Sequence, residues 1–252
     1  MTAEQLTPPE PRRFRIMTIA GTTVDVRLSF IILAGLFVIL DLDRQVPIER
    51  AALWIPVLFL SVLVHELAHA SVIGLFGHGS SEIELGGWGG QTVNRRRAAS
   101  WQEILISLAG PLSSIALAQA LYLVLTRLPL ESTNELLFDF LRLMVVANRA
   151  WGIFNLVPII PLDGGQILLH GLAHVFRPAV AFVATTWISI ALSLALGLSA
   201  LIFWKAYFVA IIAASLVMQN WGQWQAWKRF RASHPDDSGS GDSRPEPRPT
   251  EF

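Results

Sequence analysis

Apolar runs at about residues 28–42, 52–76, 104–125, 136–157 and 180–218 alternate with short polar stretches along the chain. A helix needs about 20 apolar residues to cross a bilayer, at roughly 1.5 Å of rise per residue. The last run is about twice that length and predicts two helices, with a break near Gly197 to Ser199. The first run is short for a crossing and predicts a helix that tilts into the protein or is extended by its neighbours. The expected fold class is therefore an all-α polytopic membrane protein with about six transmembrane helices, plus a small membrane-associated β element. The sequence from Phe14 to Arg27 carries β-branched residues on both sides of Gly21 and predicts a hairpin. Ser81 to Leu85 and Gln91 to Asn94 are strand-like. The glycine run between them, from Gly86 to Gly90, reads either as a flexible connector or as a place where backbones approach closely.

Composition agrees with a membrane protein. Of 252 residues, 53% are hydrophobic and 15% charged, and the mean hydropathy is +0.50. Net charge is zero, which removes any argument for a nucleic-acid partner. There are no cysteines, so disulfides and thiolate-bound metals are excluded. The first apolar run begins only near Leu28 and reads as a retained helix, not a cleaved signal. Arginine and lysine favour cytoplasmic loops. With the N-terminus inside, Arg12, Arg13, Arg15, Arg27, Arg95, Arg96, Arg97, Arg177, Lys228, Arg229 and Arg231 fall on the inner side, against Arg44, Arg50, Arg127 and Lys205 outside. Both termini are thus expected in the cytoplasm. Residues 1–13 and 233–252 are polar and proline-containing and are expected to be disordered ends flanking a domain at 14–232.

One polar feature interrupts the second apolar run. Between Ala51 and Phe76 the ionisable side chains are His65, Glu66 and His69, in the order His65-Glu66-Leu67-Ala68-His69. Placing charged groups in hydrocarbon costs at least a few kcal/mol each on insertion scales. Positions i and i+4 share a helix face, so His65 and His69 can grip one metal ion, with Glu66 beside it as a general base. The alternative is a metal-free polar cluster that packs helices. A catalytic zinc commonly takes three protein ligands. Asp163 is the best third candidate, in Asn155-Leu-Val-Pro-Ile-Ile-Pro-Leu-Asp163-Gly164-Gly165, where two prolines break the helix at membrane depth. His65 lies about nine residues, or roughly 13 Å, before the end of its helix, which suits a ligand from the inner end of the fourth run. A turn aspartate capping the next helix competes for Asp163. Glu103 is the runner-up ligand, although the start of a helix explains it better. His170 and His174 share i, i+4 spacing without an intervening glutamate and read as interfacial histidines. Arg149, inside the fourth run, is expected to pair with Asp139 or with backbone carbonyls. Trp221, Trp224 and Trp227 read as interfacial anchors.

Three separated blocks resemble the site-2 protease family of intramembrane zinc metalloproteases, peptidase family M50. They are His65-Glu66-Leu67-Ala68-His69, then Ser107-Leu108-Ala109-Gly110-Pro111, then Asn155 to Gly165. The resemblance covers residues 28 to about 171, with additional helices at about 180–218. It implies one zinc ion per chain held by His65, His69 and Asp163, with Glu66 as catalytic base and Asn155 assisting substrate or oxyanion binding. It further implies a transmembrane protein substrate cut within or near the lipid bilayer, in regulated intramembrane proteolysis that admits a regulatory membrane partner. A compact chain without cysteines is compatible with a bacterial cell membrane as location. With no insertion for a PDZ domain and no CBS pair, the chain reads as a minimal member. Oligomeric state stays open. The rival outside enzymology is a scaffold or transporter that uses the polar cleft for binding, although no repeat symmetry between halves supports transport. A substrate helix must unwind before cleavage. The strands around Glu82 to Val93, or the N-terminal hairpin, are expected to hold it as an added strand.

Overall fold

The computed structural model describes residues 13–87, 89–93, 98–128 and 134–233. The expected disordered ends lie outside the described residues, except that Arg13 opens the first strand and Ser233 closes the last helix. Arg12 and the arginines at 95–97, used for orientation, also lie outside them. Two compact units are formed, one from the described residues within 1–97 and 112–152, the other from those within 98–111 and 153–252.

The first unit begins with the predicted hairpin, β1 (Arg13–Ile19) and β2 (Thr22–Arg27). Its two-residue turn, Ala20 and Gly21, has φ of 47° and 84°, the left-handed pair that matches strand twist in a tight hairpin. Then come α1 (Leu28–Asp43), α2 (Ile48–Ala51) and α3 (Trp54–Leu75), followed by β3 (Glu82–Gly86) and β4 (Gly89–Val93). The glycine-rich stretch is thus a pair of strands, not a flexible connector. The sheet order is β1-β2-β3-β4, antiparallel at both ends, with β2 and β3 parallel in the middle. A parallel pair needs a long crossover, and α1 to α3 supply it. Val24 faces Ile83 and Val26 faces Leu85 across the parallel pair. All four pack with Phe30, Ala34, Leu58, Val62, Leu63 and Ala70 in one core. Burying each aliphatic side chain contributes about 1.5–3 kcal/mol, so this core fixes the sheet on α3. On the alternate face, Glu84 pairs with Arg27 and Arg13.

The unit is completed by the C-terminal part of α4 (Ser100–Arg127) and by most of α5 (Glu135–Asn155). Arg50 on α2 binds Glu135 at 2.8 Å and Asp139 at 3.2 Å. Asp139 was, beside backbone carbonyls, an expected partner of Arg149. Arg50 holds that carboxylate, and Arg149 stands over the Tyr122 ring, 5.6 Å from its centroid.

In the second unit, α6 (Asp163–Ala173) and α7 (Pro178–Phe203) build a core of Ile160, Leu169, Ala181 and Phe182, against which Trp227 of α8 (Tyr207–Ser233) packs. The predicted break at Gly197 to Ser199 is not there. Helix α7 continues to Phe203, and the chain turns at Trp204 to Ala206, where Lys205 has φ 51°. Gly197 serves packing instead: a Cβ on it would lie 3.1 Å from the Cβ of Ala213 on α8. The predicted anchor tryptophans form a cluster. Trp224 and Trp227 stack at 5.2 Å, with Lys228 and Arg231 over their rings.

Three helical stretches, Ile48–Leu75, Ser100–Arg127 and Pro178–Phe203, are long and apolar enough to cross a membrane. The other three expected crossings correspond to α1, α5 and α8, which do not reach that standard among the described residues. Helix α1 has 16 residues, α5 carries Asp139, Arg142 and Arg149, and the apolar run of α8 is diluted by Gln219, Asn220 and Gln223.

Candidate metal centre

In the first unit, α3 places His65, Glu66 and His69 on adjacent turns, and all three are buried, at 2%, 3% and 7% exposure. The two imidazoles sit edge to face with centroids 4.8 Å apart, the consequence of i, i+4 spacing on one helix face. His65 Nδ1 lies 3.1 Å from the Ser114 hydroxyl of α4, also fully buried. Such a contact holds the ring's orientation, as histidine ligands require. Trp151 of α5 closes one side, with its ring 6.3 Å from that of His65. One turn back along α3, Ser61 Oγ accepts a 2.8 Å hydrogen bond from Asn148 Nδ2, which also donates to the Met144 carbonyl at 2.9 Å. Asn148 is thus a wholly buried structural amide.

Strand β4 supports Glu66. The Thr92 hydroxyl donates to Glu66 Oε2 at 2.7 Å. Gly90 lies so close that a Cβ there would meet Glu66 Cγ at 2.3 Å and Oε1 at 2.4 Å. A carboxylate anchored through one oxygen presents the other, and a bare backbone beside it gives that oxygen its place. Gly89, with φ 111°, likewise has no room for a side chain against Trp151. The glycine run of the sequence therefore has a packing reason: it lets β4 approach α3 at the level of Glu66.

In the second unit, α5 ends at Asn155, which is buried. The chain then runs through residues 156–162, with a cis bond between Ile160 and Pro161, to Asp163, the first residue of α6. Leu162, not Asp163, is the helix N-cap, and it makes no side-chain capping bond. The capping role considered for Asp163 is therefore replaced by one inside the first helical turn. A Cβ on Gly164 would lie 2.2 Å from the Leu156 carbonyl oxygen, and one on Gly165 would lie 2.4 Å from the Ile159 carbonyl carbon. The Asp-Gly-Gly sequence is what lets α6 start directly against the preceding loop.

Glu103 lies in the first turn of α4, as expected for an acid at a helix N-terminus. It also bears on His170 of α6: burial lowers the pKa of that imidazole, and the negative charge of Glu103 opposes the shift. His170 and His174 belong to no group of three potential ligands among the described residues. Sequence reasoning missed Ser114 and Thr92. Their signal is spatial: a hydroxyl on each neighbouring element.

Apolar helices of spanning length, and two buried histidines flanking a glutamate on one of them, define an integral membrane protein with a metallopeptidase-type motif. Residues 130–198 match the model of peptidase family M50. A zinc metalloprotease of Methanocaldococcus jannaschii is 30% identical over 154 residues, 61% of this chain and 44% of that protein. A candidate zinc metalloprotease of Synechocystis sp. is also 30% identical, over 164 residues, 61% of this chain and 42% of its own length. The chain thus spans less than half the length of these relatives. In fold, it is similar to the site-2 protease from Methanocaldococcus jannaschii, with a TM-score of 0.64 at 23% identity, over 82% of this chain and 93% of that one. By these comparisons the chain is similar to members of peptidase family M50, and its fold is that of a site-2 protease.

Proposed function

We propose that the protein is a zinc-dependent intramembrane endopeptidase that cleaves a transmembrane protein substrate within or near the bilayer, in regulated intramembrane proteolysis. The observation that carries this reading is the burial of His65, Glu66 and His69 together on an apolar helix, a costly arrangement with no purpose in plain helix packing. His65 and His69 would hold the zinc, with Asp163 of the proline-broken segment as third ligand. His65 would bind through Nε2, since Nδ1 faces Ser114. Zinc, when bound, supplies Lewis-acid polarisation of a peptide carbonyl and acidifies a water molecule. Glu66 would serve as general base through Oε1, with Oε2 held by Thr92, and would later return the proton to the leaving amine. Asn155 would assist substrate or oxyanion binding.

The topology that goes with this reading has six crossings, α1, α2–α3, α4, α5, α7 and α8, with both termini in the cytoplasm of a bacterial cell. The substrate, once unwound, would be held as a strand. Strand β3 is interior to the sheet and its Ile83 and Leu85 are core residues, so the available edges are β1 and β4. Strand β4 is favoured because its Thr92 already holds the base.

The test uses purified protein in lipid vesicles with a membrane-spanning reporter. Chelation is expected to abolish cleavage and zinc to restore it, while Glu66→Gln keeps zinc and loses cleavage. Unchanged behaviour of Glu66→Gln in every assay would favour the scaffold or transporter reading.

A further inference from the structure

The peptide at Ile160 is buried, with Ile159 and Ile160 0% and 1% exposed. Both of its polar groups are taken by side chains from later helices. Its N–H donates to Ser189 Oγ of α7 at 2.9 Å, and its carbonyl accepts from Asn220 Nδ2 of α8 at 2.6 Å. Ser189 donates its own O–H to the Thr185 carbonyl, and Asn220 donates its second N–H to the Leu216 carbonyl. Both side chains are fully buried. Asn220 Oδ1 has no partner among the described residues, a costly state for a buried acceptor. The amide is therefore retained for its donors.

Two residues, Pro161 and Leu162, separate this clamped backbone from Asp163. The intervening backbone has little freedom, because Gly165 is pressed against Ile159 and Gly164 against Leu156. We infer that Ser189 and Asn220 are positioning residues: α7 and α8 grip the Ile160 peptide from both sides and so fix where α6 starts and where Asp163 stands. The inference rests on the reading of Asp163 as third zinc ligand. It gives the two C-terminal helices a part in metal binding, although they carry none of its ligands. Residues that orient a metal ligand typically affect metal affinity 10- to 100-fold when changed.

The experiment is a zinc competition titration against a chromophoric chelator, on the full chain in detergent, with thermal unfolding recorded for each variant. Asp163→Ala sets the effect of losing the ligand. Asn220→Ala and Ser189→Ala remove the two grips separately. Thr186→Ala is the control: it is as buried as Ser189 on the same helix, but among the described residues its hydroxyl bonds only the Phe182 carbonyl. Zinc affinity is expected to fall about 10- to 100-fold in Asn220→Ala and about tenfold in Ser189→Ala, with no change in Thr186→Ala. Should Asn220→Ala fail to fold, Ser189→Ala decides, because alanine is well tolerated in a helix. Wild-type zinc affinity in Ser189→Ala and Asn220→Ala, with affinity lost in Asp163→Ala, would overturn the clamp and leave the ligand standing. Wild-type affinity in Asp163→Ala would overturn the ligand reading and the clamp with it.

Discussion

Gly90→Ala should uncouple catalysis from folding. The new Cβ would lie 2.3 Å from Glu66 Cγ, 2.4 Å from Oε1 and 2.5 Å from Cδ. Carbon atoms attract best at about 3.5–4.0 Å, so about 1 Å or more must open. The obstacle is the outer part of a flexible side chain, not backbone, so the glutamate yields and the strand stays. As the carboxylate retreats, its 2.7 Å bond from Thr92 is stretched or lost. A misplacement of about 1 Å costs roughly a hundredfold in rate, or about 2.7 kcal/mol of barrier. The assay is initial-rate cleavage of a membrane-spanning reporter in vesicles, with zinc per chain and the unfolding midpoint measured on the same samples. Gly90→Ala is expected to keep its zinc and its midpoint and to lose most of its turnover. Gly74→Ala, on α3 with open space around it, should cleave as wild type. Full turnover in Gly90→Ala, with zinc bound, would refute the placement of Glu66 against β4.

Further consequences follow from neighbouring contacts. Thr92→Val removes the donor to Glu66 and should lower turnover by about tenfold, the equivalent of a charge-assisted hydrogen bond of roughly 1.5 kcal/mol; Thr92→Ser should restore it, and a Glu66→Gln background should erase the difference. Gly164→Ala drives a methyl into the Leu156 carbonyl, where backbone cannot move aside, and should lower stability by about 1–3 kcal/mol in denaturant unfolding. Asn148→Ala strips Ser61 of its buried donor and should cost about 1–3 kcal/mol in the same measurement.

Much of this is legible in the sequence because it rests on local pattern. The hairpin at Gly21 follows from β-branched runs around a turn residue, and α3 follows from an apolar run of spanning length. His65, Glu66 and His69 stand out because charge is rare in such a run. Other features depend on partners distant in sequence. The turn between α7 and α8 falls at Lys205 and not at Gly197, because glycine also permits close packing and periodicity alone cannot separate the two uses. Thr92 and Ser114 are ordinary hydroxyls until β4 and α4 bring them beside Glu66 and His65. Arg50 displaced Arg149 as the partner of Asp139 for the same reason: an ion pair across distant segments leaves no spacing signal.

The central claim is proteolysis carried by Glu66, and it is tested most directly by quantifying membrane-anchored protein fragments in cells that carry wild type or Glu66→Gln. The account predicts fragments cut within or near a transmembrane segment that are present with wild type and absent with Glu66→Gln, at equal protein level. Identical fragment populations in the two strains would contradict it.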